Sequence, residues 1–306
     1  MPIREINGFR MHYQHDGRGP DLVYVHGGFA SLGRALSATA TVAAWQRDLA
    51  ERFRLLCYDR RACGRSSCPP GGFDIPTQAE DLAVLLDRLD VESTHVFASS
   101  AGGPIALRFA ARHRDRVRSL VLAGTAPSIV RPGDGVRERI LAANDELTAH
   151  GAEVAFDRRP ADAQIWFTSR WDRSEAEAAG ELDRHLATER ELRARADRQS
   201  RAVRVRYHAA EVRNIHAYTT WTVHEDAAAV AAPTLVLHGG RDTVFGPSAG
   251  RAVAELVPAA RFELVAEAGH TPVFTDRAAR RLAADFMAGA EARFTADRWE
   301  GGRHAS

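Results

Sequence analysis

A pair of serines at a predicted sharp turn is the first feature of the sequence that could do chemistry. The apolar run Val96–Ala98 stops at Ser99-Ser100, and apolar residues recur at helical spacing from Ile105 onward. This pattern predicts a strand, a tight turn and a helix. A serine in such a turn is raised from the sheet edge beside the N–H groups of a helix N-terminus, where negative charge is stabilised. The arrangement is typical of a nucleophile elbow.

The size of the flanking residues indicates which serine is the nucleophile. The elbow is so tight that the residues two before and two after the nucleophile must be small. For Ser100 these residues are Ala98 and Gly102, whereas Phe97 lies two before Ser99 and its ring does not fit. The sequence therefore predicts Ser100 as the nucleophile. The alternative is a Gly-rich turn whose two serines only cap the helix.

Two other residues have the chemistry that a nucleophilic serine needs. A serine hydroxyl is a weak nucleophile until a base takes its proton, and a third group must hold that base in the right tautomer. His270 is the candidate base and Asp242 the candidate acid, and each follows a predicted parallel strand, as Ser100 does. Ligands bind at this carboxyl edge of an open α/β sheet. The three residues therefore predict a catalytic triad.

A glycine-rich turn after another predicted strand supplies candidate donors for an oxyanion hole. The strand ends in His26-Gly27-Gly28, where no side chain obstructs the approach to backbone N–H groups. Gly28 is the favoured donor and Phe29 the alternative, while Ala101 in the elbow supplies the second N–H group. The competing interpretation is an ordinary strand-to-loop turn.

Most of the other histidines are expected to have structural roles and not catalytic ones. His26 in the oxyanion turn is expected to form structural hydrogen bonds, and His238, before the acid loop, is expected to play a similar part. His208, His216 and His224 recur every eight residues, a spacing that suits no single helix face. No metal site is predicted.

Strands and helices alternate along most of the chain, which predicts an α/β fold with a mostly parallel central sheet and helices on both faces. Between about 128 and 226 no convincing strand occurs, so this segment is predicted to be an inserted helical cap. The predicted domains are a core formed by residues 1–127 and 227–290, the cap at 128–226, and a loosely held C-terminal tail at 291–306.

Local signals place several boundaries within this pattern. Asn7-Gly8 predicts a tight hairpin turn between the first two strands. Thr77 and Glu80 have the spacing of a capping box, which predicts that a helix begins there. The last helix is predicted to cover residues 276–289.

Aromatic residues in the predicted cap are candidates for substrate binding. Trp166, Trp171 and Trp221 lie there, although aromatic rings at helical spacing more often form core. The arginine-rich stretch 190–206 also contains glutamates four residues before arginines, so it is interpreted as an ion-paired, solvated helix face. No nucleic-acid partner is predicted from it.

Composition excludes several classes of function. The 306 residues carry a formal net charge of +1, so nothing draws the chain toward nucleic acid or acidic membranes. All 41 basic residues are arginine, which excludes lysine Schiff bases and the lysine-containing phosphate loop. Three cysteines, no apparent membrane span and no leader-like start predict a cytoplasmic protein.

Five sequence pieces in order resemble the α/β-hydrolase superfamily over nearly the whole chain. They are His26-Gly27-Gly28, Asp59-x-Arg61-x-x-Gly64-x-Ser66, Ala98-x-Ser100-x-Gly102-Gly103, Gly239-x-x-Asp242 and Gly269-His270. The chain departs from the family pattern at Ala98 and Ala62, where glycine is usual. Some relatives take the acid from the strand after the elbow, but Gly124-Thr125-Ala126 contains no carboxylate, which favours Asp242.

The resemblance implies a cofactor-free serine hydrolase of an ester, lactone or thioester. The aromatic rings and low net charge of the predicted cap favour a bulky, largely apolar small molecule as substrate. Members of the superfamily that dehalogenate or open epoxides use an aspartate nucleophile, which the serine at position 100 disfavours. One alternative is carbon–carbon bond hydrolysis of a diketone-like substrate by a similar triad. Another is a non-enzymatic small-molecule receptor that retains the triad. The sequence leaves open whether the protein forms a homodimer.

Overall fold

The computed structural model describes residues 2–29, 40–128, 135–159 and 197–303, together with scattered positions between 182 and 196. Within these residues eight strands form one sheet. They are β1 (Ile3–Ile6), β2 (Phe9–Asp16), β3 (Asp21–Val25), β4 (Arg54–Tyr58), β5 (Thr94–Ser99), β6 (Val117–Ala123), β7 (Thr234–Gly239) and β8 (Arg261–Val265).

The sheet has the order β1-β2-β4-β3-β5-β6-β7-β8. The pairs β1-β2 and β2-β4 are antiparallel, and the other described pairs are parallel. The strand β5, which leads to the elbow, lies between β3 and β6, with Ala98 opposite Val25 on one side and Leu122 on the other. Because all three strands are parallel, their carboxyl ends meet at one edge. The predicted α/β fold with a mostly parallel sheet is confirmed.

The described helices are α1 (Ala40–Ala50), α2 (Ile75–Asp87), α3 (Gly102–Arg112), α4 (Val136–Arg158), α5 (Arg201–Thr220), α6 (His224–Ala228), α7 (Pro247–Leu256), α8 (Pro272–Thr275) and α9 (Arg277–Arg303). None of these described helices is both long and apolar enough to cross a membrane.

Alternation along the central strands divides the core into two apolar layers. In β5, Val96 and Ala98 belong to the cluster that includes residues of α2, α3 and α7, while Phe97 belongs to the opposite cluster. In that second cluster Trp45 of α1 and Met287 of α9 are fully buried. Each large side chain buried in this way contributes about 1.5–3 kcal/mol. Burial on both faces explains why Val96, Phe97 and Ala98 are apolar at successive positions of β5.

The first hairpin forms as predicted. Ile6 pairs with Phe9, and the two turn residues Asn7 and Gly8 have φ angles of 43° and 80°. Positive φ at both central positions is the conformation that Asn-Gly favours in a two-residue hairpin.

The predicted N-cap of the second helix, Thr77, is wrong by three residues. α2 begins at Ile75, and its N-cap is Asp74, whose carboxylate accepts the N–H of Thr77 at 2.8 Å and its hydroxyl at 2.8 Å. Pro76 lies in the first turn, where its fixed φ suits a helix and its missing N–H is not needed. Thr77 therefore lies inside the helix.

The last helix extends beyond its predicted end. α9 runs to Arg303, through most of the segment that was predicted to be a loosely held tail. The carboxylate of Glu291 lies 3.1 Å from the guanidinium of Arg118 and 3.1 Å from Nε2 of His95, and Arg118 also lies over the ring of Phe294. These contacts attach the helix to the sheet after its apolar period has ended.

Helices α4 and α5 lie between β6 and β7, in the segment predicted as the cap. Leu147 and Ala155 of α4 pack with Ala209 and Val212 of α5 in a small apolar cluster of their own. Tyr218 of α5 belongs instead to the core cluster on the sheet. The described part of this segment is thus joined to the sheet by α5, while the predicted domain limits stay a prediction.

Candidate active site

The elbow is built from the end of β5, a single strained residue and the start of α3. Ser100 has a φ of 48°, and its N–H donates to the carbonyl of Ala123 at 2.9 Å. A Cβ at Gly102 would lie 2.2 Å from the carbonyl oxygen of Val25, so only glycine fits there. A positive φ at a non-glycine residue is a strained conformation that concentrates at functional sites.

The structure brings the three predicted triad residues together. The Oγ atom of Ser100 lies 2.9 Å from Nε2 of His270, and Nδ1 of His270 lies 2.9 Å from Oδ2 of Asp242. Gly124 makes this approach possible, because a Cβ there would lie 1.9 Å from the carbonyl oxygen of His270. In the sequence Gly124 was only a position without a carboxylate, and its role in allowing the loop that carries His270 to approach was not predicted.

Asp242 is held from several sides. Its Oδ1 accepts the backbone N–H groups of Val244 at 2.8 Å and Phe245 at 2.9 Å. Burial alone would raise the pKa of Asp242, but hydrogen bonds from His238 and His270 outweigh it and hold that pKa well below its usual range. The side chain is therefore a carboxylate that can orient His270 and stabilise its charged form.

His238 is the second histidine on this carboxylate. Its Nε2 lies 2.9 Å from Oδ2 of Asp242 and 2.9 Å from the carbonyl oxygen of Phe245. Both are acceptors, so Nε2 carries the hydrogen. Nδ1 is buried without a hydrogen-bond partner among the described residues, packed against Gly250. The structural interpretation of His238 missed this link to the acid, although a histidine four residues before the aspartate was a visible signal.

The turn at residues 26–28, here called the oxyanion turn, is held by Ser99, the serine that was not assigned as the nucleophile. Its Oγ accepts the N–H of Gly27 at 3.2 Å and lies 2.8 Å from the hydroxyl of Tyr24. Gly28 has a φ of 76°, which favours glycine. Ala101 lies at the N-terminus of α3, where the first N–H groups have no acceptor within the helix. The candidate donors Gly28 and Ala101 thus lie on the two turns that meet at Ser100.

Comparison with known proteins identifies the family. A family model described as alpha/beta hydrolase fold matches residues 20–276. The chain belongs to the α/β-hydrolase family of enzymes. The resemblance that the five sequence pieces indicated is confirmed.

Its relatives within the α/β-hydrolases have different activities. The chain is 32% identical to the soluble epoxide hydrolase of a Corynebacterium species over 146 residues, which is 48% of this chain and 49% of that protein. It is 27% identical to the 2-hydroxymuconate semialdehyde hydrolase of a Pseudomonas species over 93% of both chains. The enol-lactonase of Burkholderia xenovorans has a similar structure, with a TM-score of 0.64, 26% identity, and coverage of 94% of this chain and 100% of that one.

Apolar side chains of this α/β-hydrolase connect the elbow to helices α4 and α5. Phe29 and Ala101 belong to the same buried cluster as Ile140 of α4 and Tyr218 of α5, and the rings of Phe29 and Tyr218 are 5.2 Å apart. The ring of Phe245 lies 5.5 Å from that of His270. The surroundings of the triad are therefore largely apolar.

The tryptophans predicted to bind substrate are placed only in part. Trp166 and Trp171 lie outside the described residues. Trp221 is half-buried, with the guanidinium of Arg108 over its ring at 5.5 Å, and Arg108 binds Asp226 at 2.9 Å. The ring of Trp221 thus contacts Arg108 of α3, and the role of Trp221 in substrate binding stays a prediction.

No group of three or more His, Cys, Asp or Glu side chains within the described ranges is arranged to hold a metal ion.

Proposed function

We propose that this α/β-hydrolase is a cofactor-free serine hydrolase that cleaves an ester, lactone or thioester through Ser100, His270 and Asp242. One observation carries the proposal: Ser100 Oγ lies 2.9 Å from a histidine nitrogen whose other ring nitrogen lies 2.9 Å from a buried aspartate. A nucleophile, a base and a group that orients the base are the three parts that acyl transfer to serine requires.

The proposed reaction has two halves. Nε2 of His270 takes the hydroxyl proton while Ser100 Oγ attacks the carbonyl carbon, and the resulting oxyanion is stabilised by the N–H groups of Ala101 and Gly28, with Phe29 as the alternative donor. His270 then gives its proton to the leaving alcohol or thiol, leaving an acyl-enzyme. Water activated by His270 attacks that ester, and loss of the acid product returns Ser100 to its hydroxyl form.

The apolar surroundings support a bulky, largely apolar substrate. Pockets for small molecules bind mainly by burying apolar surface, and a few polar groups set the orientation. Here Phe29, Tyr218 and Phe245 supply aromatic surface around the elbow.

Hydrolysis of a carbon–carbon bond is the second candidate. The observation that favours it is the 27% identity to 2-hydroxymuconate semialdehyde hydrolase over 93% of both chains. Epoxide opening is disfavoured despite the similarity to an epoxide hydrolase, because residue 100 is a serine. A vinylogous diketone acid and an ester of the same acyl group distinguish the two reactions when their kcat/KM values are compared.

The proposal is tested with a p-nitrophenyl ester and a fluorophosphonate. We expect a burst of nitrophenol, labelling of Ser100, and loss of about 10⁴-fold or more in kcat for Ser100→Ala. The matched control is Ser99→Ala, which should keep most of the labelling at Ser100, because the nucleophile remains and the hydrogen bond from the N–H of Gly27 to Ser99 is lost. Fluorophosphonate labelling of Ser99 would contradict the assignment of Ser100 as the nucleophile. Binding of the ester without its hydrolysis would instead support a small-molecule receptor.

A further inference from the structure

Arg60 is a buried cation between the oxyanion turn and the cap. It is 2% exposed, and it lies two residues after Tyr58, the last residue of β4. One guanidinium nitrogen, Nη1, donates to Oε1 of Gln78 at 2.9 Å and to the hydroxyl of Tyr218 at 2.9 Å. The other, Nη2, donates to the carbonyl oxygens of Gly27, at 3.4 Å, and Gly28.

All of these acceptors are neutral. Within the described part of the chain, Arg60 forms no salt bridge, and its Nε is buried without a hydrogen-bond partner. The next residue shows the usual arrangement, since Arg61 is also buried but its Nη2 donates to the carboxylate of Asp81 at 2.7 Å. A buried charge without a counter-ion is unfavourable, so a fold that retains one at a reaction site places a positive potential there.

The contacts of Arg60 set the direction of two peptide groups. The described chain has no cis peptide bond. In a trans peptide the carbonyl and the N–H point in opposite directions. Because the carbonyls of Gly27 and Gly28 point toward Arg60, the N–H groups of Gly28 and Phe29 point away from it. These are the two N–H groups proposed as alternative oxyanion donors.

The backbone of Arg60 also helps to hold the turn. Its N–H donates to Nε2 of His26 at 3.2 Å, so that nitrogen accepts and Nδ1 carries the hydrogen. Nδ1 then donates to the carbonyl oxygen of Gly27 at 2.7 Å. The turn itself lies against the nucleophile, because a Cβ at Gly27 would lie 2.9 Å from Cβ of Ser100.

We propose that Arg60 is a positioning residue for oxyanion stabilisation, which acts through the peptide groups 27–28 and 28–29. Hydrogen bonds from a cation to the carbonyls polarise these peptides and strengthen their N–H groups as donors. The uncompensated positive charge behind the turn acts in the same direction, since it favours the negatively charged intermediate over the neutral substrate. This inference rests on the proposed acyl transfer at Ser100.

The test compares Arg60→Met, which removes the charge, with Arg60→Lys, which keeps it. The matched control is Arg61→Lys, since Arg61 is the neighbouring buried arginine and does not contact the oxyanion turn. In each variant, exhaustive fluorophosphonate labelling counts the competent serines. The values of kcat and KM for a neutral p-nitrophenyl ester are then expressed per labelled site, so loss of folded protein does not count as loss of activity.

For Arg60→Met we expect kcat per labelled site to fall about 10- to 100-fold, less than the loss of about 10²–10³-fold typical for removing an oxyanion donor outright. KM should stay within about twofold, because the neutral carbonyl of the bound substrate interacts only weakly with the donors. The inhibition constant of a boronic acid, which forms a negatively charged tetrahedral adduct, should rise in parallel. Arg60→Lys should recover part of the loss, and Arg61→Lys should match the wild type per site.

An unchanged kcat per labelled site in Arg60→Met, with fewer sites, would show a purely structural role and overturn the inference. If Arg60→Met does not fold, Arg60→Lys decides: a kcat per site equal to that of Arg61→Lys overturns it, and a drop of about threefold or more with weaker boronate binding supports it. Failure of the proposed function is distinguishable, because the wild type itself would then neither label at Ser100 nor hydrolyse the ester.

Discussion

Asp242 is the residue on which two histidines converge. His270 needs its hydrogen on Nδ1 to present Nε2 to Ser100, and the carboxylate of Asp242 is what holds that tautomer. His238 donates to the same oxygen from the other side. The carboxylate is thus fixed by the fold before any substrate binds.

Replacing Asp242 by asparagine should abolish most activity. An amide oriented by the N–H groups of Val244 and Phe245 turns its NH₂ toward His270 and selects the wrong tautomer, so we expect kcat for a p-nitrophenyl ester to fall by about 10⁴-fold. The control is Asp226→Asn, because Asp226 is similarly buried but binds Arg108. Comparable losses in both variants would argue that buried carboxylates matter only for folding.

The pH dependence of activity should report His270 alone on the acid side. Because hydrogen bonds from His238 and His270 outweigh burial and hold the pKa of Asp242 below its usual range, it stays ionised as the pH falls through neutrality. Its contribution to stability is therefore complete above pH ~4 and is lost only as the pH falls through its lowered pKa. As the pH falls, we expect the logarithm of kcat/KM to decrease with a slope of one, which corresponds to a single protonation. A slope of two above pH ~5 would contradict the assignment to His270 alone.

At the scale of the elements, the elbow depends on how closely α3 approaches β3. Ala98 is fully buried, and Gly102 faces the backbone of Val25. The oxyanion turn follows β3 directly, so the separation of these two elements determines the distance between Ser100 and its proposed donors.

Gly102→Ala should therefore disturb the elbow. A Cβ at this position would lie 2.2 Å from the carbonyl oxygen of Val25, and such overpacking costs about 1–3 kcal/mol. We expect a lower urea midpoint and a slower rate of fluorophosphonate labelling. Gly71→Ala is the control, since a Cβ there meets no atom within 4 Å. Equal labelling rates in the two variants would mean that the elbow tolerates a wider separation of α3 and β3.

In the molecule as a whole, the last helix, α9, packs on one face of the sheet, and helices α4 and α5 contact the core cluster on the other face. Burial lowers the pKa of His95 to about 4 although Glu291 opposes this, so the ring is neutral near pH 7. Its Nδ1 lies 2.8 Å from the hydroxyl of Ser119, and Nε2 donates to Glu291. One carboxylate on α9 thus connects two neighbouring strands of the sheet.

Glu291→Ala should destabilise the protein by about 1–3 kcal/mol, because it leaves the polar groups of His95 and Arg118 short of a partner. Asp285→Ala is the matched control on the same helix. Asp285 pairs with Arg52 at 2.7 Å, but both side chains are exposed, so its loss should change stability by no more than about 0.5 kcal/mol. Urea unfolding measures both, and equal effects would show that α9 is held by its apolar face alone.

Local sequence patterns were enough to predict most of the strands and helices and the candidate site residues at the ends of strands. The choice of Ser100 over Ser99 followed from the size of residues two positions away, and the hairpin at Asn7 followed from two residues that accept positive φ. Both are constraints within a few residues of backbone, so they can be read locally. The placement of Asp242 and His270 followed because parallel strands bring their carboxyl ends to one edge.

Contacts between residues far apart in the sequence are evident only from the packed fold. Arg60 meets Tyr218 across 158 positions, and His95 meets Glu291 across 196. Such pairs leave no periodic signal, because the contact depends on how whole elements pack. For the same reason the apolar period did not show that α9 continues beyond 289, where Glu291 pairs with His95 and Arg118 of the sheet. The candidate site residues could thus be identified from short stretches of sequence, whereas their relative orientation and the contacts that hold them depend on the fold.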